Sequence, residues 1–183
     1  MVTEQDLVTA LQNSKQKEAA FRELVSQYKK RLYWHIRKIV LNHDDTDDVL
    51  QNTFIKIYRN IDSFKGDSKL YTWMYRIATN ESITFINKRA KRKQISSEEI
   101  KESTLKNLET DVYFEGKTIQ LQLQKAIASL PPKQQLVFNM KYFDDHTYDE
   151  LSEILETSVG GLKSSYHIAV KKITEYLKAN ETF

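Results

Sequence analysis

Arg76, Asn80, Thr84 and Lys88 recur at four-residue steps within the segment from Ser68 to Lys91. On a helix that spacing places all four side chains along one face. Guanidinium and ammonium groups neutralise phosphates, and amide and hydroxyl groups reach base edges, so the stripe suits a nucleic acid. Arg89 and the rest of Asn87-Lys88-Arg89-Ala90-Lys91-Arg92-Lys93 extend the charge, and Lys65 and Lys69 precede it. Tyr71 and Trp73 lie beside the stripe, where aromatic rings can stack on unpaired bases; this favours opened strands over duplex. The same rings would serve equally as core residues, and a basic tail equally as a solvated helix end.

A second constellation lies near the end of the chain. Thr147-Tyr148-Asp149-Glu150 is a capping box that opens a helix, and Ser158 caps another after the short turn Glu156-Thr157. Val159, Leu162, Tyr166, Ala169, Ile173, Tyr176 and Leu177 make one side of that last helix apolar. The opposite side presents Gly160, Gly161, Lys163, Ser164, His167 and Lys171, a face that could enter a DNA major groove. Each helical glycine costs roughly 1 kcal/mol, so close approach to another backbone is the expected reason for them. An ordinary helical hairpin satisfies the same spacing.

Asp44, Asp45, Asp47 and Asp48 lack the interleaved turn residues and glycine of an oxygen-ligand metal loop. They read instead as a helix start, where carboxylates complement the helix dipole. Asp48, Gln51, Asn52 and Ile55 are then left on an outer face that could hold a partner. The chain has no Cys, and His35, His43, His146 and His167 are scattered, so no metal or other cofactor is expected. No catalytic triad, phosphate-binding glycine loop or paired acid/base site is present, which argues against an enzyme.

These residues need helices to hold them. Four Gly and two Pro in 183 residues leave most of the chain without strong breakers. The expected architecture is all-α, with two small helical domains, 1–93 and 119–183, joined by an acidic linker, 94–118. A short helix capped by Thr3 and Asp6 precedes a long one carrying Phe21, Leu24, Val25, Tyr28, Leu32, Ile36, Ile39 and Val40 on one side. The next carries Val49, Leu50, Phe54, Ile57, Tyr58 and Ile61, and Gly66 breaks the chain before the basic helix. Charge divides accordingly: residues 1–94 hold 18 Lys and Arg against 11 Asp and Glu, 95–118 hold 3 against 6, and 119–183 hold 7 against 8. Local positive charge of that kind is what polyanion binding requires. No apolar stretch approaches the roughly 18 residues of a membrane span, and acids stand where a signal peptide has bases. The expected location is the cytoplasm.

Residues 47–80, DDVLQNTFIKIYRNIDSFKGDSKLYTWMYRIATN, resemble region 2 of the extracytoplasmic-function (ECF) group of bacterial sigma factors. The acid pair, Gln-x-x-Phe, Phe-basic-Gly, Thr-Trp and Tyr-Arg-Ile-Ala-x-Asn stand in the family's order. Residues 130–173 similarly resemble region 4, down to Ser-Val-Gly-x-Leu-Lys-Ser. The resemblance implies an alternative sigma factor that binds core RNA polymerase and directs it to particular promoters. Asp47, Asp48, Gln51, Asn52 and Phe54 would form or support the helix that grips the polymerase clamp coiled coil. The loop Phe64, Lys65, Gly66, Asp67, Ser68, Lys69 would capture a flipped base of the minus-ten element. Trp73, Arg76, Asn80, Thr84, Lys88 and Arg89 would hold the melting duplex. The helix from Ser158 to Lys172, with Gly160, Gly161, Lys163, Ser164, Ser165, His167 and Lys171, would read the minus-thirty-five element. Other region 4 surfaces would meet the polymerase flap.

Two departures stand out. Trp73 is followed by Met74, where housekeeping members have a second Trp, so melting is expected to depend more on the minus-ten sequence. Ser165, Ile168 and Val170 stand where many relatives have Arg, which removes guanidinium forks from the recognition helix. The missing arginines leave a sigma-like adaptor without promoter reading open as one alternative, and the helix-turn-helix pattern of residues 147–177 leaves a self-sufficient duplex-binding regulator as another. The resemblance also implies an anti-sigma partner, often membrane-anchored in this family, which would hold the protein at the inner membrane face.

Overall fold

The computed structural model describes residues 3–93 and 118–180. The chain divides into two compact units, Met1–Ile86 and Asn87–Phe183. Among the described residues the regular elements are helices and no strand occurs. The linker expected over 94–118 lies outside the described residues apart from Thr118, where a helix begins.

Four helices carry the first part: α1 (Glu4–Gln12), α2 (Lys17–Val40), α3 (His43–Asn60) and α4 (Leu70–Lys93). α1 begins on the expected capping box, with the Thr3 side chain accepting the Asp6 N–H and the Asp6 carboxylate accepting the Thr3 N–H, both at 3.1 Å. α3 starts on Asn42, whose side chain accepts the Asp45 N–H at 3.0 Å. Its first turn therefore holds Asp44 and Asp45, while Asp47 and Asp48 fall on the second turn. α2 packs against α1 and α3. Leu24, Leu32 and Ile36 of α2 are fully buried with Leu11, Ile57, Ile61, Leu70 and Met74, and this is the core of the unit. Phe21 closes its edge, with its ring edge-on to Phe54 and Tyr58.

The inner face of α4 is unusual for a core helix. Thr72, Thr79 and Ser82 are buried there beside Met74, Tyr75 and Ala78. Buried hydroxyls need partners, and Ser82 donates to the Ala78 carbonyl at 2.8 Å while Thr79 shares a 2.8 Å hydrogen bond with the buried His35 Nε2. These small polar groups weaken the apolar periodicity of the segment.

The second unit contains α5 (Thr118–Ala128), α6 (Pro132–Tyr142), α7 (Tyr148–Leu155) and α8 (Val159–Ala179). Pro131 is extended and Pro132 opens α6, where its missing N–H costs nothing. α8 packs against α5, α6 and α7. Ala126, Ile127, Leu130, Phe138, Ala169 and Ile173 form the core, flanked by Tyr166, Tyr176 and Leu177 from the predicted stripe. Phe138 lies nearly parallel to both Tyr142 and Tyr166, at centroid distances of 5.2 and 5.8 Å.

Candidate nucleic-acid interface

α3 ends in a 3-10 turn, Ile61–Ser63, and residues 64–69 then lead to α4. Lys65, Gly66, Asp67 and Lys69 are exposed and Ser68 is half-buried. Gly66 has φ +78°, the left-handed region that other residues enter only with strain. Phe64 points the other way: it is 8% exposed, and its ring packs on Trp73 at 5.3 Å between centroids. Phe64 thus props the loop from beneath, and the exposed groups are Lys65, Gly66, Asp67 and Lys69.

α1 ties down both ends of this loop. Gln12 Nε2 donates to the Phe64 carbonyl at 2.8 Å and to the Ile61 carbonyl at 3.2 Å. Glu4 Oε1 accepts the Leu70 N–H at 3.0 Å. The basic helix was expected to begin near Ser68, but Ser68 makes no cap: its hydroxyl lies 3.4 Å from the Lys69 carbonyl, and α4 starts at Leu70. Sequence reasoning missed Glu4 and Gln12, because nothing in local spacing links them to residues forty-nine to sixty-six positions away.

Along α4, Arg76, Asn80, Thr84, Asn87, Lys88 and Lys91 are exposed, and Arg89 is half-buried. The helical register thus sets the predicted stripe on the outer face. Ile83, unremarked in the sequence, lies among them and is also exposed. Trp73 is half-buried, and Lys69 Nζ sits 5.5 Å from the Tyr71 ring centroid. On α3, Asp47, Asp48, Gln51, Asn52 and Ile55 are all exposed, with Phe54 tucked against Phe21 behind them. The four aspartates of α3 converge on no metal-binding cluster among the described residues.

The second unit builds a helix, tight turn and helix. The Thr147–Glu150 capping box forms as expected, and Glu156 turns the chain with φ +49°. The Ser158 hydroxyl accepts the Gly161 N–H at 3.3 Å. Gly160, Lys163, Ser164, His167 and Lys171 are exposed, while Gly161 and Ser165 are half-buried. The two glycines differ in kind. A Cβ at Gly161 would stand 3.2 Å from the Ser158 Oγ, so this glycine makes room for the cap; a Cβ at Gly160 would meet nothing within 4 Å. Lys163 Nζ lies 5.7 Å from the centroid of Tyr148, and Lys141 Nζ 5.5 Å. Burial, reinforced by the neighbouring Tyr148 and Tyr142, pushes the Tyr166 phenol up.

The chain matches the family model for Sigma-70 region 2 over residues 24–92 and that for Sigma-70 region 4 over residues 120–173. It is 32% identical over 167 residues to the ECF RNA polymerase sigma factor SigW of Bacillus subtilis, covering 87% of this chain and 89% of that one. The chain belongs to the ECF sigma factors. The ECF sigma-E factor of Escherichia coli K12 is 30% identical over 171 residues, covering 89% of this chain and 88% of its own. Among solved structures, CnrH in complex with the cytosolic domain of CnrY superposes with a TM-score of 0.70 at 21% identity, covering 96% of this chain and 99% of that one. The sigma factor RpoE of Bartonella quintana, in complex with the anti-sigma factor NepR, gives 0.69, also at 21%, covering 88% and 98%. As an alternative sigma factor this chain directs promoter-specific transcription. Its basic stripe and exposed loop lie within region 2, its helix-turn-helix within region 4. No helix among the described residues is long and apolar enough to cross a membrane.

Proposed function

We propose that this ECF sigma factor divides its work between residues 1–93, which bind core RNA polymerase and open the minus-ten element, and residues 119–183, which read the minus-thirty-five element, with 94–118 joining them. The observation that carries this reading is the placement of Arg76, Asn80, Thr84 and Lys88 along the exposed side of α4, next to Trp73 and the tethered loop. Cations along that side hold phosphates of the separated strands, amides meet base edges, and Lys65 to Lys69 receive a base that leaves the stack. Asp47, Asp48, Gln51 and Asn52, presented on α3, take the polymerase clamp coiled coil, and surfaces of region 4 take the flap. Two weak DNA contacts held on one polymerase reinforce each other through effective concentration, so the few cations of α8 suffice. The chain catalyses no reaction of its own.

An anti-sigma factor is the second partner. Both solved relatives above were captured in complexes, one with an anti-sigma factor, and such a partner would hold this cytoplasmic protein at the membrane face when anchored there. The test is run-off transcription with purified core enzyme on genomic promoters. Promoter-dependent transcripts that require the added chain are expected; failure to associate with core enzyme would overturn the reading.

A further inference from the structure

On the exposed face of α8 one apolar side chain stands among the hydrogen-bonding groups. Ile168 follows Ser164 by four residues and precedes Lys171 by three, so it shares their face, and it leaves 42% of its surface open. Val170, also exposed, follows Tyr166 by four and precedes Ile173 by three, and so borders the core stripe instead. Gly160 and Ser164, small groups on the same face, lie on the N-terminal side of Ile168, and a Cβ at Gly160 would meet nothing within 4 Å. Within a major groove, an apolar group that cannot hydrogen-bond any base edge has one favourable counterpart, the C5-methyl of thymine. Lys163, Ser164, His167 and Lys171 supply phosphate and base-edge contacts around it.

Resting on the reading of α8 as the duplex-reading helix, we infer that Ile168 makes this sigma factor recognise the methyl group of one thymine in its upstream promoter element. The contact is a van der Waals and desolvation contact, so it is lost when the methyl alone is removed. Deoxyuridine does this while keeping every hydrogen-bonding group of thymine.

The experiment uses the full chain with core polymerase on a duplex promoter selected by that holoenzyme from a pool randomised across the upstream element. Each thymine of the element is replaced in turn by deoxyuridine, and the rate of initiation is measured. At one position the replacement should slow initiation roughly fourfold, the factor carried by one methyl-sized apolar contact. With Ile168→Ala, which should keep the wild-type melting temperature because the site is exposed, that position should become indifferent to the methyl, and Ile168→Leu should restore part of the response. Initiation by the wild-type chain that ignores deoxyuridine at every position would overturn the inference while leaving promoter reading by α8 in place. An Ile168→Ala chain that keeps the full methyl response would also overturn it. Selection that enriches no upstream element at all would overturn the reading of α8, and the inference with it.

Discussion

The carboxylate of Glu4 accepts the backbone N–H of Leu70 at 3.0 Å, so the first helix of the chain caps the first turn of the helix that carries the basic stripe. A helix end left without such a partner exposes unsatisfied donors. Removal of the cap by Glu4→Ala should destabilise region 2 by about 1 kcal/mol and loosen the loop that precedes α4. Thermal melts and permanganate footprinting of the opened promoter read both effects. Equal promoter opening by the variant and the wild type would sink the idea that α1 positions the loop.

Asn80 and Lys88 are exposed on the stripe of α4, whereas Asp47 and Asp48 are exposed on α3. Asn80→Ala and Lys88→Ala should therefore leave association with core polymerase unchanged while reducing promoter opening. Lys88→Ala should also lower the slope of log affinity against log salt by about 0.7 to 1, one phosphate contact's share. Gel-shift titrations of the holoenzyme across a salt series check this.

Gly160 and Gly161 should respond oppositely to alanine. A methyl at Gly160 meets open space, so Gly160→Ala should stabilise region 4 by up to about 1 kcal/mol yet weaken use of the upstream element by holding the backbone away from DNA. Gly161→Ala presses on the Ser158 cap and should destabilise. Melting temperatures and initiation rates together separate the two; a Gly160→Ala chain of full activity would show that its bareness serves no DNA contact.

The phenol of Tyr28 is held above its usual range by burial, with the Glu4 carboxylate adding to the effect and Arg31 opposing it. The folded state therefore keeps this proton longer than the unfolded chain does. Its stabilising contribution is complete below the unfolded value of about 10 and is lost as pH rises through the higher folded value. Circular-dichroism melts across that range should show stability falling with alkali, and Tyr28→Phe should flatten part of the fall. An identical alkaline slope for both chains would contradict the assignment.

Phe64 is buried against Trp73, and Phe64→Ala should cost about 3 kcal/mol through the cavity it leaves. Lys65→Ala, one residue on and fully outside, should leave the melting temperature unchanged. Differential scanning calorimetry distinguishes them.

Much of this was legible without coordinates because it is local. A capping box needs two side chains three residues apart, so Thr3 with Asp6 and Thr147 with Glu150 could be read directly. A stripe at four-residue steps lands on one face of any helix, so Arg76, Asn80, Thr84 and Lys88 had to share a side, as did the apolar residues of α8. What spacing cannot say is which side faces inward when a helix buries threonines, serines and a histidine contact instead of leucines. For that reason Ile83 on the outer face of α4 and Thr72, Thr79 and Ser82 on the inner one were not anticipated.

The order of residue types along the chain was enough for the helices, the caps at Thr3, Thr147 and Ser158, the basic and acidic faces and membership of the ECF sigma factors, since each depends on neighbours within a turn or two. Packing alone set where the loop after α3 is held, why Phe64 turns inward while Lys65 turns out, and where α4 begins. Those outcomes rest on Glu4 and Gln12 meeting residues about fifty to sixty-six positions later. Such contacts exist only once burial of Leu11, Leu24 and Ile61 has folded α1 onto the rest of the unit.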